Sequence, residues 1–210
     1  MENKEQKKEK TFDFKKEIRE WFFILLTAAG IALFLNTFII ANSRVPSASM
    51  ENTIMTGSRV IGSRLSYHFH EPERGDVVIF VFGYDCKTCG TTYQETPEGV
   101  CPVCGRADKR NSTIYYVKRI IGMPGDTIDI KDGHVYLNGS DTPLEEPYLH
   151  EEMETPKELH YEVPEGQYFM MGDNRNYSAD ARFWRFSYIS KDKIIAKVLF
   201  KYFPGFGKIE

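Results

Sequence analysis

WFFILLTAAGIALFLNTFIIA, Trp21 to Ala41, divides this chain in two. Its 21 residues carry no charge, and Asn36 is its one strongly polar side chain. About 20 apolar residues in a helix cross the ~30 Å hydrocarbon layer of a bilayer. A core helix of that length would show a polar stripe, and none is present. A cleavable leader has an apolar core of about 7–15 residues ending in a small-x-small site. This stretch is longer, and Ala41-Asn42-Ser43 makes a poor site. The reading is a retained transmembrane helix over residues 21–41.

Residues 1–20, before the span, form a charged tail. Seven of them are basic (Lys4, Lys7, Lys8, Lys10, Lys15, Lys16 and Arg19), whereas only Arg44 follows closely on the other side. Orientation follows the Lys/Arg count rather than net charge. The tail is therefore expected in the cytoplasm. Residues 42–210 are expected on the outer face of the plasma (cytoplasmic) membrane. The whole chain of 210 residues is 41% apolar with a formal net charge of −3. Nothing in that balance points to nucleic acid; the bilayer is the partner the span implies.

Beyond the span the texture becomes short runs rich in Val, Ile, Tyr and Phe. These are Arg59–Ser66, Asp76–Phe82, Thr113–Ile121, Thr127–Ile130, His134–Leu137, Gln167–Met171 and Lys193–Tyr202. Turn signals such as Pro124-Gly125-Asp126, Asp132-Gly133 and Asn138-Gly139 separate them. No long amphipathic helix follows residue 45. The expected fold is mainly β: one N-terminal transmembrane helix, then an outer β-rich domain. Residues 83–113 interrupt that domain with few apolar side chains, and residues 141–160 read as a long irregular excursion.

Three segments can carry chemistry. Val45-Pro46-Ser47-Ala48-Ser49-Met50 sits just past the span, and its small hydroxylic residues can set an exposed Oγ beside backbone N–H donors. In Tyr116-Val117-Lys118-Arg119-Ile120-Ile121, strand alternation puts Tyr116, Lys118 and Ile120 on one face and Val117, Arg119 and Ile121 on the other. Each face then has one cation among apolar neighbours. Arginine keeps its charge, but a desolvated lysine can become a neutral amine and act as a base. Gly172-Asp173-Asn174-Arg175-Asn176-Tyr177-Ser178-Ala179-Asp180-Ala181-Arg182 is a dense polar loop able to pin other groups. Each segment alone also reads blandly, as a loop, a snorkelling lysine or a solvated turn. The five histidines, at 68, 70, 134, 150 and 160, lie in scattered polar stretches, and a Ser-His-Asp arrangement has no positive support.

Taken in order after a single span, these segments resemble the bacterial type I signal peptidases, also called leader peptidases. PSASM is similar to their P-S-x-S-M box. RGDVVIF, Arg74 to Phe80, is similar to their RGD strand box. YVKRIIGMPGD, Tyr116 to Asp126, and GDNRNYSADAR, Gly172 to Arg182, are similar to the lysine box and the last box. The resemblance implies a membrane-bound serine endopeptidase that removes signal peptides from exported preproteins through an acyl-enzyme. By position it makes Ser49 the nucleophile and Lys118 the general base. Ser47 would support the oxyanion with the Ser49 N–H, and Ser178 would orient the lysine amine. Tyr116, Asp173, Asp180 and Arg182 would brace the site. It implies preprotein substrates with small residues at the first and third positions before the cut, and no cofactor for catalysis. Two departures stand out. Asn52-Thr53-Ile54 replaces the family's Pro-Thr-Leu, and Asp180-Ala181-Arg182 replaces its frequent Asp-Ser-Arg.

The four cysteines belong to none of these boxes. Cys86-Lys87-Thr88-Cys89-Gly90 and Cys101-Pro102-Val103-Cys104-Gly105 are two knuckles, with eleven residues between Cys89 and Cys101. Such a pair directs four sulfurs to one point, the tetrahedral Cys₄ set of a zinc ribbon. The motif points to a structural Zn²⁺, whereas an outer location favours two disulfides. Two rival functions share parts of the pattern: a soluble self-cleaving Ser/Lys peptidase, which the span opposes, and a tethered binding module, which the intact Ser49, Lys118 and Ser178 oppose.

Overall fold

The structure is a computed structural model. It describes residues 14–96, 98–107, 111–149, 151–155 and 157–209. Most of the charged tail, including Lys4, Lys7, Lys8 and Lys10, and also His150, lie outside the described residues. The chain divides into two compact units after Phe38.

In the first unit lies helix α1, Phe14–Phe34, continued by a wider π turn, Leu35–Ile39, whose last residue begins the second unit. The 26 helical residues are long and apolar enough to cross a membrane. Their large apolar side chains stand exposed, Leu33 at 70% and Trp21 at 62%. Ile40 and Ala41, expected at the end of the span, instead open strand β1, Ile40–Arg44. They pair with Ser63 and Gly62. The Ile39 carbonyl takes its hydrogen bond from Arg64 N at 2.8 Å. A sheet partner thus satisfies backbone that would otherwise need a further helical turn.

The second unit is mainly β, as its alternating pattern requires. After β1 come β2 (Arg59–Ser63), a one-turn α2 (Ser66–Phe69), β3 (Val77–Asp85), β4 (Thr92–Gln94) and β5 (Ser112–Gly122). Then follow β6 (Thr127–Lys131), β7 (His134–Leu137), β8 (Leu159–Glu162), β9 (Gln167–Met171), β10 (Tyr188–Ser190), β11 (Ile194–Phe203) and β12 (Gly207–Lys208). The large sheet runs β1-β2-β11-β3-β5-β9-β10, with β4 on β3 and β12 on β11. A small sheet has the order β7-β6-β8. The short β1, β4, β8, β10 and β12 have no strong alternation of their own and escaped the pattern.

The large sheet is covered on both faces. Val77 and Ile79 join Val45, Met50, Ile54, Val60 and Val198 in one core. Val78 and Phe80 join Ile120, Tyr168, Met170 and Ile189 in the core on the other face. Burying one such side chain is worth about 1.5–3 kcal/mol. With both faces buried, β3 and β5 have one register that suits them, because a one-residue slip would exchange the two cores. That register pairs Val78 with Lys118 and Val77 with Arg119. The lysine and the arginine therefore enter opposite cores.

Residues 83–113 are less separate from the sheet than composition suggested. β3 runs on to Asp85 and β5 starts at Ser112, and the two remain paired to their tips. The cysteine segment is the end of this long hairpin. Residues 141–158, by contrast, contain no strand among those described, whereas Leu159 and His160, expected in the excursion to 160, open β8.

Candidate active site

Strand β1 ends at Arg44, and Pro46 follows two residues later. A short 3-10 turn, Ala48–Met50, then buries Ser49 and Met50. Met50 is fully buried and serves as the apolar anchor of the turn. Three bonds and contacts fix the turn against the polar loop after β9. Asn174 N donates to Ser49 O at 3.1 Å. Asn174 Nδ2 donates to Ala48 O at 3.1 Å. Gly172 packs so closely that a Cβ there would fall on Ser178 Oγ and Ser49 O. Glycine is required at 172 by this close approach rather than by a special φ. Ser49 itself is 7% exposed, and its Oγ lies 3.3 Å from Ser47 Oγ.

Lys118 comes to the same place from the middle of β5. It is 3% exposed, and its Nζ donates to Ser178 Oγ at 3.0 Å. Burial lowers its pKa from 10.5 to about 8, against the opposing pull of Asp180; Arg182 lowers it further and Asp173 raises it. Such an amine is neutral in about half of the molecules near pH 8. Tyr116, on the same face, has its ring 5.9 Å from Nζ. That ring stacks on Phe82 at 4.1 Å and leans on Trp184. Burial also raises the Tyr116 pKa. Ser47, Ser49, Tyr116 and Lys118 all line one cleft of about 360 Å³. Ser43–Pro46, Ile114–Val117, Tyr177 and Ala179 complete its lining. No histidine among the described residues lines it.

Asp173, Asp180 and Arg182 stand behind the cleft. Asp180 is wholly buried and accepts Arg182 Nε at 2.8 Å and Gly172 N at 3.1 Å. Arg182 Nη2 also donates to Arg175 O at 2.6 Å. Asp173 takes two bonds from Arg119, at 2.9 and 2.8 Å, and one from Thr53 Oγ1 at 2.5 Å. Planar, two-pronged pairs of this kind fix orientation as well as charge. Thr53 ties this pair to the turn that carries Ser49, although the family's preceding proline is replaced by Asn52.

Several contributors were missed by sequence reasoning. Strand alternation marks Arg119 only as the second cation of β5; the structure makes it the clamp on Asp173. Arg175 is 2% exposed and forms a buried ion pair with Glu146. Tyr148 covers Arg119, with the guanidinium 3.9 Å from its ring centre. Glu146 and Tyr148 come from the excursion that looked irregular; it is the lid over two buried arginines. The available signal was one arginine on an apolar strand, Arg119, and one in the dense polar loop, Arg175, each needing a carboxylate when buried.

The four cysteines gather at the hairpin end, all as free thiols. Their sulfurs lie within 4.8 Å of one another. Cys86–Cys104 and Cys89–Cys101 are each 3.6 Å apart. Sulfurs at ~2.3 Å from a tetrahedral zinc would be about 3.8 Å apart, against ~2.05 Å in a disulfide. The donor set and its spacing fit a metal ion.

Comparison with known proteins agrees with this architecture. Residues 18–203 match the family model described as signal peptidase, peptidase S26. A probable signal peptidase I-1 of Synechocystis sp. is 34% identical over 198 residues, covering 90% of this chain and 84% of that protein. A signal peptidase I of Bacillus licheniformis is 30% identical over 205 residues, covering 93% and 94%. A signal peptidase IB of Staphylococcus aureus is 28% identical over 207 residues, covering 90% and 92%. On these matches, spanning nearly the whole chain, the protein belongs to the signal peptidase family, peptidase S26, and is a serine peptidase.

Proposed function

We propose that this protein cleaves signal peptides from exported preproteins at the outer face of the plasma membrane, with Ser49 as nucleophile and Lys118 as general base. The observation that carries the reading is the environment of Lys118: a buried amine, its pKa lowered to about 8, held by Ser178 in the cleft that Ser49 also lines. No imidazole is needed for this chemistry. The neutral amine takes the proton of Ser49 as Oγ attacks the scissile carbonyl. Ser47 Oγ and the Ser49 N–H receive the developing oxyanion. The lysine gives its proton to the leaving amine, and an acyl-enzyme remains. Lysine then takes a proton from water, which attacks the ester, and passes that proton to Ser49 Oγ as the peptide acid leaves. Asp173, Asp180 and Arg182 act through Arg119 and Gly172 by holding the polar loop in place.

The substrate lies extended in the cleft, between Ser43–Pro46 and Ile114–Val117. Backbone groups of those segments are suited to strand addition. The family resemblance implies small residues at the first and third positions before the cut. The helix Phe14–Ile39 serves as the anchor, N-terminus inside, as the tail's basic residues imply. The test is cleavage of a model preprotein by purified protein in detergent. Wild type is expected to cut, and Ser49→Ala and Lys118→Ala to be folded and inactive. Near-normal cleavage by Lys118→Ala would sink the dyad.

The second part of the reading is that the Cys₄ cluster holds a structural Zn²⁺. Its support is four free thiols at tetrahedral spacing. Metal analysis and thiol titration of freshly purified protein test it: about one zinc per chain is expected. Four oxidised cysteines without metal would refute it.

A further inference from the structure

The zinc knuckles end the hairpin whose inner half forms one wall of the cleft, and the two ends are mechanically joined. Cys86 directly follows β3, and Ser112, opposite Asp85, begins the strand that reaches Ile114, Tyr115 and Tyr116 in the cleft. Lys87 N donates to Asn111 Oδ1 at 3.0 Å, and Asn111 Nδ2 donates to Tyr93 Oη at 3.1 Å. Strand β4, between the knuckles, lies directly on β3, and a Cβ at Gly83 would fall on the Tyr93 carbonyl.

One residue of β4 reaches further. The Gln94 side-chain amide closes a two-bond ring on the backbone of Phe186, donating to its O at 2.6 Å and accepting from its N at 3.0 Å. The neighbouring Glu95 pairs with Lys193 at 2.8 Å. Phe186 is two residues from Trp184, whose ring packs on Phe80, Phe82 and Tyr116. Trp184 Nε1 also donates to the carbonyl of Ala179, which lines the cleft, at 3.2 Å. An independent, solvated appendage would make no such bonds to the loop after Arg182.

Among the described residues the apolar core of the ribbon is small. Its buried apolar contacts amount to Cys86, Tyr93 and Cys101, with Tyr84 and Cys104 at their edge. A cluster that small cannot offset the conformational entropy of the segment, so metal binding would supply the folding free energy there.

We propose that the metal-bound ribbon is a positioning element for substrate: through Gln94 and Phe186 it holds Trp184 and Phe82 against Tyr116, whose ring lines the cleft. This rests on the peptidase and zinc readings above. Asn174 and Gly172 hold Ser49, Gly172 packs on Ser178, and Ser178 holds the Lys118 amine, all by contacts outside the ribbon. Loss of metal should therefore weaken substrate binding and leave the chemistry of the serine in place.

The chain has no cysteines besides these four. A mercurial thiol reagent added to the full-length protein in detergent will thus act on the ribbon alone. Reversal with reductant plus chelator gives metal-free protein, and reversal with reductant plus Zn²⁺ gives the loaded control. The expected result is a KM for preprotein raised about tenfold without metal, with kcat and the acylation of Ser49 by a small inhibitor within about twofold. Zn²⁺ should restore KM. Gln94→Ala should keep its zinc and still raise KM about threefold. An unchanged KM after measured loss of metal would overturn the proposal, as would acylation falling in step with KM, which is general unfolding. Absence of zinc from the purified wild type overturns it at the metal premise. Failure of the loaded wild type to cleave overturns it at the peptidase premise.

Discussion

Raising the pH from 7 to 9 should increase kcat/KM about tenfold, and nearly all of that rise should be complete by pH 9. The perturbed group is Lys118, whose burial brings its pKa from 10.5 to about 8. Its neutral fraction is then about 9% at pH 7, 50% at pH 8 and 91% at pH 9. A solvated lysine at 10.5 would instead gain about 100-fold over the same interval and continue to rise. The assay is preprotein cleavage in detergent at low substrate concentration, where kcat/KM reports the free enzyme. A log-linear rise through pH 9.5 would refute the claim that burial tunes this amine. Linkage gives a second readout. Between pH 8 and 10.5 the unfolded chain binds the extra proton, so stability rises with pH across that window. Below pH 8 the charged amine costs the fold about 3 kcal/mol. Lys118→Met removes the charge at similar length, so it should abolish activity and leave Tm at pH 7 unchanged or higher. A marked loss of Tm would show that the amine stabilises the fold, contrary to the account.

Three substitutions probe the scaffold. Gly172→Ala places a methyl on Ser178 Oγ and Ser49 O; cleavage should fall at least ~100-fold and urea unfolding should show a loss of about 1–3 kcal/mol. Ser178→Ala removes the one side-chain bond to Lys118 Nζ among the described residues; kcat should drop about 10–100-fold with KM little changed, which steady-state kinetics will separate. Asp173→Asn removes the buried carboxylate charge that accepts two bonds from Arg119; a loss of about 3–5 kcal/mol is expected in denaturant titration.

How far the sequence spoke depended on whether a feature was local. The span from Trp21 was legible because it is one uninterrupted apolar run. β3 and β5 were legible because Val77–Phe80 and Tyr116–Ile121 have their cores written into neighbouring residues. The opposite placement of Lys118 and Arg119 followed from period two alone. Strands β1, β8 and β10 were not legible, since each is held by a partner distant in sequence, as Ile40 is by Ser63. The lid role of Glu146 and Tyr148 was hidden for the same reason: Arg175 and Arg119, which they cover, are recruited across the fold. The spacing of the cysteines announced a cluster, but nothing local announced that Gln94 ties it to Phe186.

The most direct measurement is peptide mapping of the protein after reaction with a labelled acylating inhibitor at pH 8.5, by mass spectrometry. The account predicts one adduct, on Ser49, in wild type, and its loss in Lys118→Met with the fold intact. Equal labelling of Ser49 in Lys118→Met, or labelling at another serine, would contradict it.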